Sequence, residues 1–190
     1  MSQTVLSLLA HPDDAEFLCA GVMARLVHEH GWKAHLATMT PGDCGSVQDA
    51  PREISSTRRA EGEAAARVID AGYHCLEERD LLVFYDAPTL KKVTALIRRL
   101  KPSLVLTHSP QDYMMDHEMT SILARAACFN APIPNCDSGP EEPLHEIPHL
   151  YYCDPIEGKN QFGETIQPGT LIDISNVIEI KERMLACHAS

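Results

Sequence analysis

Short apolar runs alternate along this chain with longer stretches in which apolar residues recur at helical spacing. Val5–Leu9, Leu36–Met39 and Leu104–Leu106 are runs of strand length, which predict buried strands. Between the first two, Phe17, Ala20, Ala24 and Val27 mark one face of a helix that stops before Gly31. A second helix is expected over Arg58–Asp70, with Ala64, Ala65 and Val68 inward; Gly72 ends it and releases a strand at Tyr73–Leu76. Thr89 can cap a third helix that turns Leu90, Val93, Ile97 and Leu100 inward, and Pro102 breaks the chain before the next strand. A fourth helix is expected over Glu118–Phe129, a late strand over Leu171–Ile174, and a last helix from a Ser175 cap through Leu185. Strands linked by helices through short connections predict an α/β fold: an open, Rossmann-like sandwich with a mostly parallel central sheet. Asn130–Pro148 carries five prolines and a glycine, so it is expected to be irregular and to wall the ligand crevice.

Composition narrows the class of partner. With 190 residues and 44% apolar content the chain can fold as a single domain over 1–190 with a substantial core. Sixteen Lys and Arg against twenty-seven Asp and Glu leave a formal charge of -11. No basic run offsets it, so nucleic acid and anionic membranes are unfavourable partners and a small molecule is the easier one. Seven dispersed cysteines include no CxxC pair and fit a reducing, cytoplasmic setting. No basic, cleavable leader precedes the first strand, and no apolar run reaches the length of a membrane span.

The chemistry concentrates after two of the strands. Ala10-His11-Pro12-Asp13-Asp14-Ala15-Glu16 follows the first, where an open parallel sheet places its ligand crevice. Asp13 and Asp14 are adjacent, so their side chains diverge; one can face a metal and the other a water beside it, or either can cap the helix that follows. Spacing alone does not say which. Thr107-His108-Ser109-Pro110-Gln111-Asp112-Tyr113-Met114-Met115-Asp116-His117-Glu118 follows another buried strand. A histidine from each segment and one carboxylate would form a two-imidazole, one-carboxylate metal triad with room for water.

These motifs resemble the LmbE/PIG-L family of zinc-dependent N-acetylglucosaminyl deacetylase-like proteins. The resemblance rests on His11-Pro12-Asp13-Asp14 with Glu16, then Asp112 and Asp116-His117. It extends to the glycine turn Thr40–Gly45, to Arg58 and Glu61, to Asp173-Ile174-Ser175 and to His188-Ala189-Ser190. It implies an LmbE-like sandwich, Zn2+ held by His11, Asp14 and His117, and Asp13 as the base that takes a proton from the attacking water. Asp116 would orient an imidazole from behind or cap the following helix. The activity implied is hydrolysis of an N-acetyl amide on an amino sugar or a related small molecule; the resemblance also allows a homo-oligomer and a missing C-terminal part. Among substrate contacts, Arg58 is a candidate for oxygen atoms, with an ion pair to Glu61 as its alternative, and Asp43 for sugar hydroxyls, with turn capping as its alternative.

One position departs from the pattern. The second motif is commonly Asp-x-His-x-Asp-His, and this chain has Met114 at the first histidine. A thioether has no proton to exchange. Asp13 serving as base and then acid is the expected replacement, with His108 read as a structural or rim residue. Two further readings fit the residues: a metal-dependent phosphoesterase, and a metal-stabilised protein without catalysis.

Overall fold

In a computed structural model, which describes residues 3–190, five strands form a single parallel sheet in the order β3-β2-β1-β4-β5. The strands are β1 Thr4–Leu9, β2 Lys33–Thr38, β3 Gly72–Cys75, β4 Leu104–His108 and β5 His149–Cys153. The helices are α1 Asp14–Leu18, α2 Ala20–His30, α3 Pro51–Arg67, α4 Ala87–Leu100, α5 Met115–Asn130 and α6 Ile178–Leu185. The predicted α/β sandwich is what the chain forms, with every strand pair parallel.

Alternation along β1 explains the two layers. Successive side chains of a strand point to opposite faces. Val5 and Leu9 join a core with Met23 and Ala24 of α2, Ala65 and Ala66 of α3, and Met184 of α6. Leu6 and Leu8 join the other core, with Val93 and Ile97 of α4 and Leu123 and Ala127 of α5. Since β1 is central and buried along its whole length, no polar face interrupts its run.

The strand order reverses direction at β1, between β2 and β4. Such a switch point opens a crevice beyond the carboxyl ends of the strands. His11 leaves β1 there, and His108 ends β4 there.

Several expectations change: α3 starts at Pro51 instead of Arg58, and Asp86, not Thr89, caps α4. The first helix is broken at Cys19, whose φ of -136° interrupts the helical path; the break leaves Phe17 exposed instead of on the inner face. Leu171–Ile174 forms no strand: Ile174 packs over the bare Cα of Gly21 and Asp173 O accepts from Arg25, so this segment covers α2 and the sheet ends elsewhere. The sheet is completed by β5, which the apolar pattern did not reveal. The irregular 130–148 segment packs along α4, where Arg98 donates to the carbonyls of Ala131 and Ile133 and Lys91 pairs with Asp137. Among the described residues, no helix is long and apolar enough to cross a membrane.

Candidate metal centre

His11 follows β1 directly, and the next turn carries Asp13 into a left-handed conformation, φ 112°, before α1 starts at Asp14. Such a backbone is rare for a residue with a Cβ and persists only where its surroundings hold it. Here the restraint is Arg58 of α3. Its Nη2 donates to Pro12 O and to Asp13 Oδ2, both at 2.8 Å. The guanidinium reaches this point across the glycine turn: a Cβ on Gly42 or Gly45 would lie 2.5 or 2.6 Å from Arg58 Nη1. The turn is therefore the passage for one arginine side chain.

Asp14 turns the opposite way from Asp13, into the protein. His11 N donates to its Oδ2 at 2.7 Å, and three imidazoles surround the carboxylate. His11 Nδ1 lies 3.3 Å from Oδ2, His108 Nε2 3.1 Å from Oδ2, and His117 Nε2 3.5 Å from Oδ1. Ligand atoms of His11, Asp14 and His117 all fall within 4.8 Å of one another, and all three residues are buried. The remaining nitrogens of His11 and His117 face carboxylates: His11 Nε2 is 3.0 Å from Asp80 and 3.4 Å from Asp116, and His117 Nδ1 is 3.0 Å from Asp112. A metal-binding imidazole characteristically presents one nitrogen forward and gives its other N–H to an acceptor behind. Two nitrogens and a carboxylate disposed in this way suit zinc and leave a position for water.

The local electrostatics call for a cation. Burial alone would lower the His11 pKa, but hydrogen bonds to Asp116, Asp14 and Asp80 outweigh it and push it up to about 12. Burial also opposes ionisation of Asp14, yet His108 first, then His11 and His117, hold its pKa well below the usual carboxylate range. Asp13 behaves differently: burial and the neighbouring Asp14 charge raise it to about 6, against the pull of Arg58, His188 and His11. Asp13 is thus a carboxylate poised to exchange a proton near neutrality.

The other residues singled out in the sequence take the following places. Asp116 lies in the first turn of α5, with its oxygens accepting from Leu81 N at 2.7 Å and Val83 N at 3.4 Å. Asp43 accepts from Asp80 N at 2.8 Å through one oxygen and pairs with Arg79 Nε at 2.7 Å through the other. Glu61 is not paired with Arg58; it receives Ala189 N, Ser190 N and Ser190 Oγ. His108 is fully buried and stacked on His117, with ring centroids 3.8 Å apart, so it supports the centre from beneath and does not stand at a rim. Met114 is the half-buried residue preceding α5. Asp80 is the functional neighbour that sequence reasoning missed. It sits in an irregular segment after β3, with no local pattern to mark it.

Known proteins match this chain over nearly its whole length. A family model for GlcNAc-PI de-N-acetylase (PIG-L) matches residues 6–128. The 4-oxalmesaconate hydratase of Pseudomonas putida KT2440 is 27% identical over 195 residues, an alignment covering 98% of this chain and 73% of the relative. The diacetylchitobiose deacetylase of Thermococcus kodakarensis is 24% identical, covering 98% of this chain and 69% of the relative. Among solved structures, the 4-carboxy-2-hydroxymuconate hydratase from Pseudomonas putida KT2440 superposes with a TM-score of 0.86 at 26% identity, covering 98% of this chain and 79% of that one.

Proposed function

The chain belongs to the PIG-L family of GlcNAc-PI de-N-acetylases, and from that premise we propose that it is a zinc-dependent N-deacetylase acting on an N-acetylated sugar or a related small amide. The observation that carries this reading is the His11–Asp14–His117 group, with ligand atoms within 4.8 Å of one another and carboxylates behind both imidazoles. His11 Nδ1, Asp14 and His117 Nε2 would hold the ion. Zinc bound there supplies a Lewis acid and water activation near neutral pH.

The chain's own groups then divide the work. Asp13, partly exposed and held through Oδ2 by Arg58, takes a proton from the attacking water. The water oxygen adds to the acyl carbon, the C–N bond breaks, and Asp13 returns the proton to the departing nitrogen. Acetate and a free amine are the products. Asp116, 3.4 Å from His11 Nε2, helps keep that ring in orientation. Acetate release from a panel of N-acetyl sugars tests the reading. Zinc-loaded protein should release acetate, and Asp13→Asn should abolish release while zinc stays bound at one ion per chain. Full activity in Asp13→Asn overturns the assignment of the base.

A second reading, addition of water without an amine leaving group, is favoured by Met114 and by the relationship to a hydratase. A reaction with no departing nitrogen has no need of the leaving-group acid that a histidine at 114 would provide. Water uptake by an unsaturated carboxylate, followed by loss of its ultraviolet absorbance, together with no acetate release from any sugar in the panel, would select this reading over deacetylation.

A further inference from the structure

With Nδ1 given to the metal, His11 would keep one N–H, at Nε2, and two buried carboxylates stand within reach of it. Asp116 Oδ2 takes the hydrogen bond at 3.4 Å, and Asp80 Oδ1 makes an ion-pair contact at 3.0 Å. The same two carboxylates share a second donor: Leu81 N lies 3.0 Å from Asp80 Oδ1 and 2.7 Å from Asp116 Oδ2. Leu81 itself stands at φ 64°, a left-handed conformation costly for a residue bearing a Cβ, and its side chain is exposed.

Asp80 is fixed on its remaining sides as well. Cys44 N donates to Asp80 Oδ2 at 3.1 Å, and Asp80 N donates to Asp43 Oδ1 at 2.8 Å. Asp43 in turn pairs with Arg79 at 2.7 Å. A chain of bonds thus runs from surface Arg79 through Asp43 and Asp80 to the back of His11. It joins the glycine turn after β2 to the segment after β3, so the approach of those two loops sets where the Asp80 carboxylate stands.

We propose that Asp80, locked by Asp43, is a second positioning residue for His11 beside Asp116: its carboxylate, 3.0 Å from Nε2, helps fix the ring so that Nδ1 faces the metal. This rests on the zinc reading above. It gives Asp43 a role in supporting the centre, because both Asp43 oxygens are already engaged.

Zinc affinity, measured by chelator competition, tests the assignment without reference to any substrate. Loss of such an outer partner characteristically weakens binding by about 10- to 100-fold. Asp80→Asn should raise the zinc dissociation constant within that range. Asp43→Asn, which loosens Asp80 without touching His11, should weaken binding in the same direction by a smaller factor. Asp86→Ala, which removes the α4 cap, should lower thermal stability and leave zinc affinity unchanged. Proton NMR of the zinc-loaded protein should show a low-field, exchange-protected His11 Nε2–H signal that Asp80→Asn shifts or abolishes. Zinc affinity within twofold of wild type in both Asp80→Asn and Asp43→Asn overturns the proposal while the zinc reading stands. If Asp80→Asn does not fold, an unchanged affinity in Asp43→Asn is sufficient to overturn it. A wild-type protein that binds no zinc overturns both.

Discussion

Gly42→Ala separates the cost of a backbone conformation from the cost of a blocked passage. Gly42 has φ 70°, and an added Cβ would stand 2.5 Å from Arg58 Nη1 and 2.9 Å from Arg58 Cδ. The left-handed backbone alone costs about 1–2 kcal/mol for a residue with a Cβ. The clash also forces the guanidinium off Pro12 O and Asp13 Oδ2, each now held at 2.8 Å. Hydrogen bonds to charged groups contribute about 1.5–3 kcal/mol when buried, but Asp13 is 30% exposed, so about 1 kcal/mol for each is the appropriate scale. The sum is about 3–4 kcal/mol, or a fall of roughly 6–16 °C in the melting temperature of a domain this size. Urea denaturation of Gly42→Ala, Arg58→Ala and the double variant forms the test. In the Arg58→Ala background the glycine substitution should cost only its backbone share, about 1–2 kcal/mol. An equal cost in both backgrounds would refute the idea that this turn exists to admit Arg58.

Chelation should destabilise the protein. At free zinc a thousandfold above its dissociation constant, bound metal contributes about 4 kcal/mol, so removing it should lower the melting temperature by roughly 8–16 °C; His117→Ala should abolish this zinc-dependent difference, and a full difference in that variant would disqualify His117 as a ligand. A separate pH effect should arise at the other end of the sheet, where His74 Nε2 and His35 Nδ1 lie 3.1 Å apart. Burial, then the His35 charge and Arg99, lower the His74 pKa to about 4, so between the unfolded value of 6.5 and about 4 the unfolded chain binds more protons and stability falls as pH falls. The undiscounted linkage is about 3 kcal/mol; because the group is only half buried, screening reduces it to about 1 kcal/mol. His74→Gln should flatten the stability profile by that amount between pH 7 and 4.5 in chemical denaturation, and parallel profiles would rule the pair out as its source. Met114→His should raise acetate release about tenfold or more, since a positioned acid contributes about 10²–10⁴-fold; no gain in a variant that keeps its zinc would count against deacetylation and for water addition.

How much of this was readable from the chain depends on how local each signal was. The β1 and β4 strands announced themselves because strands buried on both faces are uninterrupted apolar runs, and the groups that follow them inherit their position from that. His11, Asp14 and His117 were accessible for this reason: each lies within a turn or two of a strand end. The edge strand β5 was not, since its residues are half-buried or exposed throughout and show neither a continuous run nor a clean alternation. The opposite error occurred at Leu171–Ile174, where an apolar tetrapeptide looked like a strand. Leu171 is in fact 84% exposed, and Ile174 is consumed by the space above Gly21. A run of apolar residues specifies burial only when a partner surface exists, and that surface lies 150 residues away in the chain.

The adjacency of Asp13 and Asp14 illustrates the same limit at the site itself. Sequence spacing requires only that their side chains diverge, and it is silent on which turns inward. The decision is made by Arg58, 45 residues later, which grips the peptide before Asp13 and one of its oxygens. With Asp13 held outward at φ 112°, α1 begins at Asp14 and carries that carboxylate down among the imidazoles. Asp80 is less readable still, because its partners come from the β1 turn and the glycine turn. Both segments must assemble around that carboxylate before it has anything to orient. The residues that converge here can thus be found by motif, whereas the carboxylate packed behind them is a property of the assembled sheet.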